Sequence, residues 1–231
     1  MTTEEAARIR LAERANHELA DAPARQILQW AREQFDTRWC VASSMADAVL
    51  PQLASQVLPG VDVLFLDTGY HFAETIGTRD AVAATLPVTV RSIRPRRSVG
   101  EQDAEFGPQL HQRDPDRCCA RRKVAPLTEA LAGYEAWASG LRRVDAEQRA
   151  TVPVVEWDAR RKLIKLNPIA TWSDQQVAEF IAEYGVLVNP LLEAGYTSIG
   201  CAPCTRPTVA GEHARAGRWA GSSKTECGLH T

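Results

Sequence analysis

The chain has 231 residues, of which 45% are hydrophobic and 24% charged, with 27 basic against 29 acidic side chains. This composition is typical of a globular protein and excludes a disordered chain, a collagen and a coiled coil. The net charge of −2 provides no overall attraction for nucleic acid or an anionic membrane. Any anion site must therefore be a local cluster of basic residues.

The sequence contains no segment that predicts export or membrane insertion. No run approaches the roughly 18 apolar residues that a membrane span needs. The first 20 residues are charged, read as a helix and lack the apolar core of a secretory signal. We therefore expect a cytoplasmic protein that binds neither nucleic acid nor membrane.

Helices and strands alternate along the first 93 residues. Apolar periodicity predicts helices at 22–36, with Asp21 as N-cap, at 46–58 and at 72–86, separated by strands at 39–42, 61–66 and 88–93. Strands that alternate with helices predict an α/β fold with a parallel sheet covered on both faces.

The second half of the chain has weaker patterns. Residues 95–113 are rich in Gly and Pro and are interpreted as a loop, and Asp114-Pro115 is a good helix start. Further strands are predicted at 137–141 and 152–157. Ser173–Tyr184 is a helix that Ser173 caps and Gly185 ends. The chain beyond 185 is interpreted as mostly loop.

Four of the six cysteines form two tight groups, Cys118-Cys119 and Cys201-Ala202-Pro203-Cys204. Four such thiols are the minimum for a tetrathiolate metal site, and zinc and an iron–sulfur cluster are the candidates. Structural zinc favours two spaced pairs, whereas consecutive helical side chains diverge by about 100°. The adjacent pair therefore favours a larger centre, [4Fe–4S], over zinc.

The other two cysteines have different surroundings. Cys227 lies near the end of the chain in Glu226-Cys227-Gly228-Leu229-His230, where a mobile, reactive nucleophile and an incidental tail cysteine are both open interpretations. Cys40 lies in a predicted core strand and is interpreted as a core residue.

Polar residues follow two of the predicted strands. Ser43 and Ser44 open a helix after the first strand, and Asp67-Thr68-Gly69 ends the next. Both loops lie at the carboxyl edge of the sheet, where open α/β sheets bind ligands. Arginines and lysines also cluster near the cysteine groups, and guanidinium groups suit sulfate and phosphate oxygens. These basic residues are Arg121, Arg122, Lys123, Arg142, Arg143, Arg149, Arg206, Arg215 and Arg218.

The combined motifs resemble the assimilatory adenosine 5′-phosphosulfate (APS) reductases, the iron–sulfur branch of the sulfonucleotide reductases. The resemblance runs from about Arg38 to the C-terminus. It rests on Leu66–Gly69, Cys118-Cys119 with Arg122-Lys123, Trp137–Arg143, Gly200–Pro207 and Glu226–His230.

The resemblance implies a doubly wound, mostly parallel sheet of the adenine-nucleotide alpha hydrolase type with a mobile C-terminal tail. Residues 1–205 would form one nucleotide-binding domain, and 206–231 the segment that carries the nucleophile. A [4Fe–4S] cluster would bind to Cys118, Cys119, Cys201 and Cys204. The segment Ser43–Asp47 corresponds to the family's modified phosphate loop, with Ser44-Met45 in place of a glycine-containing form.

The implied reaction is the reduction of APS to sulfite and AMP. Cys227 is expected to be the nucleophile, forming a thiosulfonate that thioredoxin or a similar dithiol protein resolves. The adenosine is expected near Ser43, Ser44, Asp67 and Gly69, and the phosphosulfate on Lys123, Arg149, Arg215 and Arg218.

Three alternatives stay open at this point: a reductase of 3′-phosphoadenosine 5′-phosphosulfate (PAPS), an ATP-dependent PP-loop enzyme, for example one that thiolates tRNA, and an iron–sulfur redox sensor that binds a partner or DNA. The ECGLH ending alone does not separate APS from PAPS reductases, since both carry it. The oligomeric state is also open, a homo-oligomer included.

Overall fold

The computed structural model describes residues 2–220, 222 and 224–230. Six strands form one sheet: β1 (Trp39–Ser43), β2 (Val61–Leu66), β3 (Val88–Ile93), β4 (Ala136–Ser139), β5 (Val155–Asp158) and β6 (Leu163–Leu166). Their order is β3-β2-β1-β4-β6-β5, and only β5, at one edge, is antiparallel to its neighbour. The expected mostly parallel sheet is confirmed.

Helices surround this sheet. They are α1 (Thr3–Glu18), α2 (Ala24–Phe35), α3 (Val49–Val57), α4 (Ala73–Thr85), α5 (Val99–Phe106), α6 (Leu110–Arg113), α7 (Pro115–Cys119), α8 (Ala125–Leu131) and α9 (Asp174–Tyr184). A π-helical segment, Ala120–Val124, joins α7 to α8. Short 3₁₀ turns lie at Arg143–Asp145, Glu147–Arg149, Pro190–Leu192 and Ala202–Cys204. None of the helices that the structure describes is both long and apolar enough to cross a bilayer.

Several predicted boundaries were wrong, for identifiable local reasons. The segment 95–113 holds two helices rather than a loop, because Ser98 and Glu101 form a capping box that starts α5. Asp21 does not cap α2, whose N-cap position is Pro23. Strand β6 was missed because it is short and follows β5 through a tight turn, in which Lys162 has a φ of 57°.

The core lies between the sheet and the helices and explains why these strands are central. Trp39, Val41, Phe65 and Ile164 are all at most 1% exposed. Each such side chain contributes roughly 1.5–3 kcal/mol through burial. Because the strand order reverses at β1, the loops after β1 and β4 diverge and leave a crevice at their carboxyl ends, where doubly wound sheets bind ligands.

Candidate active site

A cavity of about 600 Å³ lies at this crevice. Its floor is the carboxyl edge of β1, β2 and β4, and its far side is the C-terminal part of the chain. Ser43, Leu66 and Ser139 line it at the ends of β1, β2 and β4, and Ser44 lines it directly after β1. The structure thus places both predicted serines in the cavity.

The loop after β1 turns without a glycine. Met45 has a left-handed backbone, with a φ of 59°, and its side chain is fully buried. The Ser43 hydroxyl accepts a hydrogen bond from the Met45 amide at 3.2 Å, and the Asn189 side chain donates to the Met45 carbonyl at 3.1 Å. These contacts hold a conformation that a residue other than glycine adopts at a cost.

Asp67 and Gly69, also predicted to contact substrate, do not line the cavity. The Asp67 carboxylate accepts hydrogen bonds from the Gly69 amide at 3.2 Å and from Arg94 at 3.1 Å. Gly69 has a φ of 75°, and a Cβ there would lie 3.2 Å from Arg122. The buried Arg122 guanidinium holds the loop after β2 by donating a hydrogen bond from Nε to the Thr68 carbonyl. Thr68 and His71 of this loop do line the cavity.

All four cationic residues predicted to hold an anion line the cavity: Lys123, Arg149, Arg215 and Arg218. Lys123 lies in the π-helical segment after the cysteine pair, and Arg149 ends a 3₁₀ turn after β4. Arg215 and Arg218 lie on the loop that follows the second cysteine pair. Three separate parts of the chain therefore bring positive charge to one space.

The position of Arg218 depends on a neighbouring glycine. A Cβ on Gly200 would lie 2.3 Å from the Arg218 guanidinium, so that only glycine allows this approach. Nη1 of Arg218 donates to the Ile199 carbonyl at 3.2 Å and contacts the Ser198 hydroxyl at 3.3 Å. The Arg218 backbone also forms an isolated bridge with Thr205, which ties its loop to the cysteine-bearing turn.

Lys123 lies between the cysteine pairs and the C-terminal tail. Burial lowers the pKa of this amine, but the nearby Cys201, Cys227 and Cys119 raise it by more. The net pKa of Lys123 is therefore above its ordinary value. A buried cation favours negative charge on the groups that surround it. Lys123 can therefore stabilise negative charge both at the cysteine pairs and at the C-terminal tail.

The tail is fixed over the cavity by contacts on both sides of Cys227. Lys224 forms an ion pair with Asp116 of α7. Leu229 packs on the buried cluster that includes Leu64 and Trp137, and the His230 ring stacks on Trp137 at 5.8 Å between centroids. Half-buried Cys227 consequently lines the same cavity as the four cations.

Glu226 forms the most extensive polar contact of the tail. Its carboxylate accepts from Nε and Nη2 of Arg149 at 2.8 and 2.9 Å, and from Nη2 of Arg215 at 3.1 Å. Burial lowers the pKa of Arg215 and the charge of Arg149 lowers it further, whereas Glu226 raises it. The two guanidinium groups thus repel each other, and the negative charge of Glu226 compensates for this repulsion.

The four cysteines of the two motifs lie on α7 and at the turn Ala202–Cys204 with its preceding residue Cys201, close enough for their charges to interact. Cys118, Cys119 and Cys201 are buried and Cys204 is partly buried. Burial raises the pKa of the Cys118 thiol to about 12, and Cys119, Cys201 and Cys204 add to this rise. Burial and Cys201 likewise raise the pKa of Cys204 to about 11.

The chemistry of this cysteine quartet decides which metal centre it fits. Within the described part of the chain, no three histidine, cysteine or carboxylate side chains are arranged to hold a single metal ion. The four thiols nevertheless influence one another's ionisation, and four cysteines are the donor set of a [4Fe–4S] cluster. The π-helical segment that directly follows Cys119 also interrupts regular α-helical geometry. The donor set fits such a cluster.

Other cavity residues were not among the predicted site residues. The sequence motif around Cys227 contained Glu226 but gave it no role; its adjacency to the predicted nucleophile was the available signal. Arg142 was noted only as one of many basic residues; it pairs with Asp145 at 2.7 Å and Asp174 at 2.8 Å. His71, at the cavity wall, carried no signal of its own.

A sheet of this topology, with a crevice at the carboxyl ends of its strands, is that of a nucleotide-binding α/β protein. The chain belongs to the phosphoadenosine phosphosulfate reductase domain family, whose model matches residues 38–207.

Several relatives share more than half of their aligned residues with this chain. A protein named adenosine 5′-phosphosulfate reductase from Streptomyces coelicolor is 64% identical, with 95% of this chain and 93% of that protein covered. Proteins of the same name from Mycolicibacterium smegmatis and Mycobacterium tuberculosis are 57% and 51% identical over the same shares.

Solved structures agree on the fold. A PAPS reductase from Candida auris, crystallised with phosphate, superimposes with a TM-score of 0.70 at 26% identity, covering 84% of this chain and 96% of that one. The FMN adenylyltransferase of Candida glabrata has a TM-score of 0.56 at 12% identity, covering 85% and 66%, and shows only that the fold is shared with nucleotide-binding proteins.

Proposed function

We propose that this protein reduces APS to sulfite and AMP in sulfate assimilation, with Cys227 as the nucleophile and a [4Fe–4S] cluster on Cys118, Cys119, Cys201 and Cys204. The observation that carries the proposal is that Cys227 lines the same cavity as Lys123 and three arginines. The curated relatives, from 51% to 64% identical, carry the name of this activity.

The cavity provides complementary ends for a sulfonucleotide. The loop Ser43–Asp47 and the N-terminal end of α3 lie at the sheet edge, where a nucleotide would bind. Arg149, Arg215 and Arg218 supply guanidinium donors that match phosphate and sulfate oxygens. The nucleotide would then lie with its sulfonate toward the tail.

The reaction needs a thiolate and a stabilised leaving group. Sγ of Cys227 attacks the sulfonate sulfur, the bond from that sulfur to the bridging oxygen breaks, and AMP leaves with the electron pair. Lys123 and the arginines stabilise the charge that develops on the bridging oxygen. The product is a thiosulfonate, with the SO₃ group bonded to Sγ of Cys227.

An external dithiol completes the cycle. One thiolate of thioredoxin or a similar protein attacks Sγ of Cys227, and sulfite leaves with the electron pair of the sulfur–sulfur bond. The second thiol resolves the mixed disulfide, which oxidises the dithiol and returns the Cys227 thiolate. A tail held by side-chain contacts, rather than by a strand ladder, suits a cysteine that must meet two partners in turn.

The cluster has a supporting role in this scheme. When bound, a [4Fe–4S] cluster would tie the turn Ala202–Cys204 to α7 and set the electrostatics beside Lys123. Arg218 follows that turn and is bridged to Thr205, so loss of the tie would disturb an anion-binding arginine. We place the protein in the cytoplasm, where thiols stay reduced.

The charges in the cavity favour APS over PAPS. Beyond the four cations, the wall carries the carboxylates of Asp47, Asp145 and Asp174. The Arg142 guanidinium among them is already paired with two of these carboxylates. A second phosphate would therefore face negative groups without an unpaired arginine, and we expect APS to be the better substrate.

Sulfite release tests the proposal. Anaerobically purified protein, given thioredoxin and either nucleotide, is expected to release sulfite with a much higher kcat/KM for APS than for PAPS. Cys227→Ser should release none, whereas Cys40→Ala, a matched change at a buried cysteine outside the cavity, should stay active. Equal rates with both nucleotides would reject the APS preference, and turnover by Cys227→Ser would reject the nucleophile.

A further inference from the structure

The Glu226 carboxylate lies where the proposed function requires the substrate's anion. It accepts hydrogen bonds from Arg149 and Arg215, two of the residues expected to hold the phosphosulfate. All three side chains line the cavity. The tail that carries the nucleophile therefore also carries an anion that pairs with the binding arginines.

The geometry of Arg149 leaves no room for both anions. Glu226 uses Nε and Nη2, which form the edge that binds a carboxylate or phosphate in the bidentate mode. The remaining Nη1 faces Asp145 at 3.5 Å. A phosphosulfate oxygen that binds this edge must replace the Glu226 carboxylate.

Arg149 and Arg215 require a neighbouring anion both with and without bound substrate. Both side chains are largely buried, with 12% and 15% exposed, and burial together with the nearby charge of Arg149 lowers the pKa of Arg215. An unpaired pair of cations in such a site is unfavourable. Glu226 meets this need when no substrate is bound.

We propose that Glu226 is an internal placeholder for the substrate's phosphosulfate: it holds the tail closed by pairing with Arg149 and Arg215, and substrate binding displaces it. This inference rests on the proposed function, because it identifies the displacing anion as a sulfonucleotide. Glu226 acts through the two arginines and is a positioning residue. The exchange frees the residue next to Cys227 at the moment that the sulfonate arrives.

Binding measurements test the competition directly. In the Cys227→Ser background, which cannot turn over, Glu226→Gln is expected to bind APS about tenfold more tightly, roughly the value of one charge-assisted hydrogen bond. Adenosine, which has no anion, should bind both proteins equally. Unchanged or weaker APS binding by Glu226→Gln would overturn the inference, since Glu226 would then be a fixed support for the arginines.

Alkylation of Cys227 tests the closed tail without a nucleotide. Iodoacetamide should modify the Cys227-containing peptide faster in Glu226→Gln than in the unsubstituted protein. Inorganic sulfate should accelerate the reaction in the unsubstituted protein but not in the variant. Glu212→Gln is a matched control, since Glu212 pairs with Arg206 at 2.8 Å and neither lines the cavity.

The two experiments separate the two hypotheses. If neither protein binds APS but alkylation and its response to sulfate behave as expected, the proposed substrate is wrong and the placeholder stands. If APS binds and is reduced but Glu226→Gln alters neither APS affinity nor alkylation, the placeholder is wrong and the proposed function stands.

Discussion

The sheet edge and the C-terminal segment 206–230 form opposite sides of one cavity but are stabilised by different forces. The edge belongs to a six-stranded sheet whose Val41, Leu64 and Phe65 are at most 1% exposed. The described residues of the C-terminal segment form no helix or strand. Its backbone pairs with the rest of the chain through the Thr205–Arg218 bridge and through single hydrogen bonds from the Thr208 amide to Gly195 and from the Trp219 amide to Cys204. The last part of the segment is held by the ion pairs of Lys224 and Glu226 and by the apolar contact of Leu229.

This difference separates binding from reactivity. The packed sheet edge holds the nucleotide-binding loop in one position, because core packing resists displacement. Ion pairs exchange with other ions, so a segment held by them can release when a competing anion enters. The chain thus places its substrate loop on the apolar scaffold and its nucleophile on the exchangeable part.

The largest expected effect comes from breaking the cysteine quartet, which lies on α7 and on the turn that leads into the C-terminal segment. Cys201→Ser removes one of four thiolate ligands, so we expect iron content and sulfite release to fall together to background. Iron analysis and the sulfite assay check this, with Cys40→Ala as the control. Full activity without iron would show that the cluster is not needed for sulfite release.

A pair of leucine substitutions compares the regions on a common scale. Leu64→Ala removes a side chain that is 1% exposed and should lower the free energy of unfolding by about 2–5 kcal/mol. Leu229→Ala, at a partly buried tail position, should lower it by less than about 1 kcal/mol while accelerating the alkylation of Cys227. Urea denaturation measures both. Equal losses would mean that the tail is as much a part of the core as β2.

Gly200 tests how the boundary between the regions positions an arginine. A methyl group at this position would displace the Arg218 guanidinium, which would otherwise lie 2.3 Å from the added carbon. Gly200→Ala should therefore weaken APS binding about tenfold, the loss of roughly one charged hydrogen bond, with iron content unchanged. Gly133→Ala, where a Cβ meets nothing within 4 Å, should bind APS normally. Normal APS binding by Gly200→Ala would show that Arg218 does not contribute to substrate binding.

The smallest expected effect is a pH dependence of tail docking. Burial and the charges of Lys165, Arg149, Arg161 and Arg215 lower the pKa of His230 well below its ordinary 6.5. The released tail then takes up a proton more readily than the docked tail, so docking is fully stable above pH 6.5 and weakens as the pH falls below it. Hydrogen exchange of residues 224–230 should show faster exchange at about pH 5.5 than at about 7.5, after correction for intrinsic rates. His230→Phe should lose this difference; its persistence would assign the effect to another group.

The sequence predicted the scaffold better than the site. Buried strands such as Val61–Leu66 and the capped helix after Ser173 have strong local patterns, and the structure confirms them. Short elements with mixed patterns, β6 and α5, were missed or assigned to a loop. Local periodicity determines an element only when enough consecutive residues share it.

The site depends on contacts between distant parts of the chain, which no local pattern contains. Arg149 and Glu226 are 77 residues apart, and their ion pair follows from the path of the tail. Asp67 was expected in the cavity because β2 ends there, but Arg94 draws its carboxylate elsewhere. The end of a predicted strand correctly located Asp67 at the carboxyl edge of the sheet. The direction of its side chain could be seen only in the structure.

Mass spectrometry of the protein incubated with APS and no reductant tests the central claim most directly. If Cys227 is the nucleophile, the peptide that contains it should gain one SO₃ group, and added thioredoxin should remove the group as sulfite. An unmodified Cys227 peptide, with AMP formed or with the SO₃ group on another cysteine, would contradict the account.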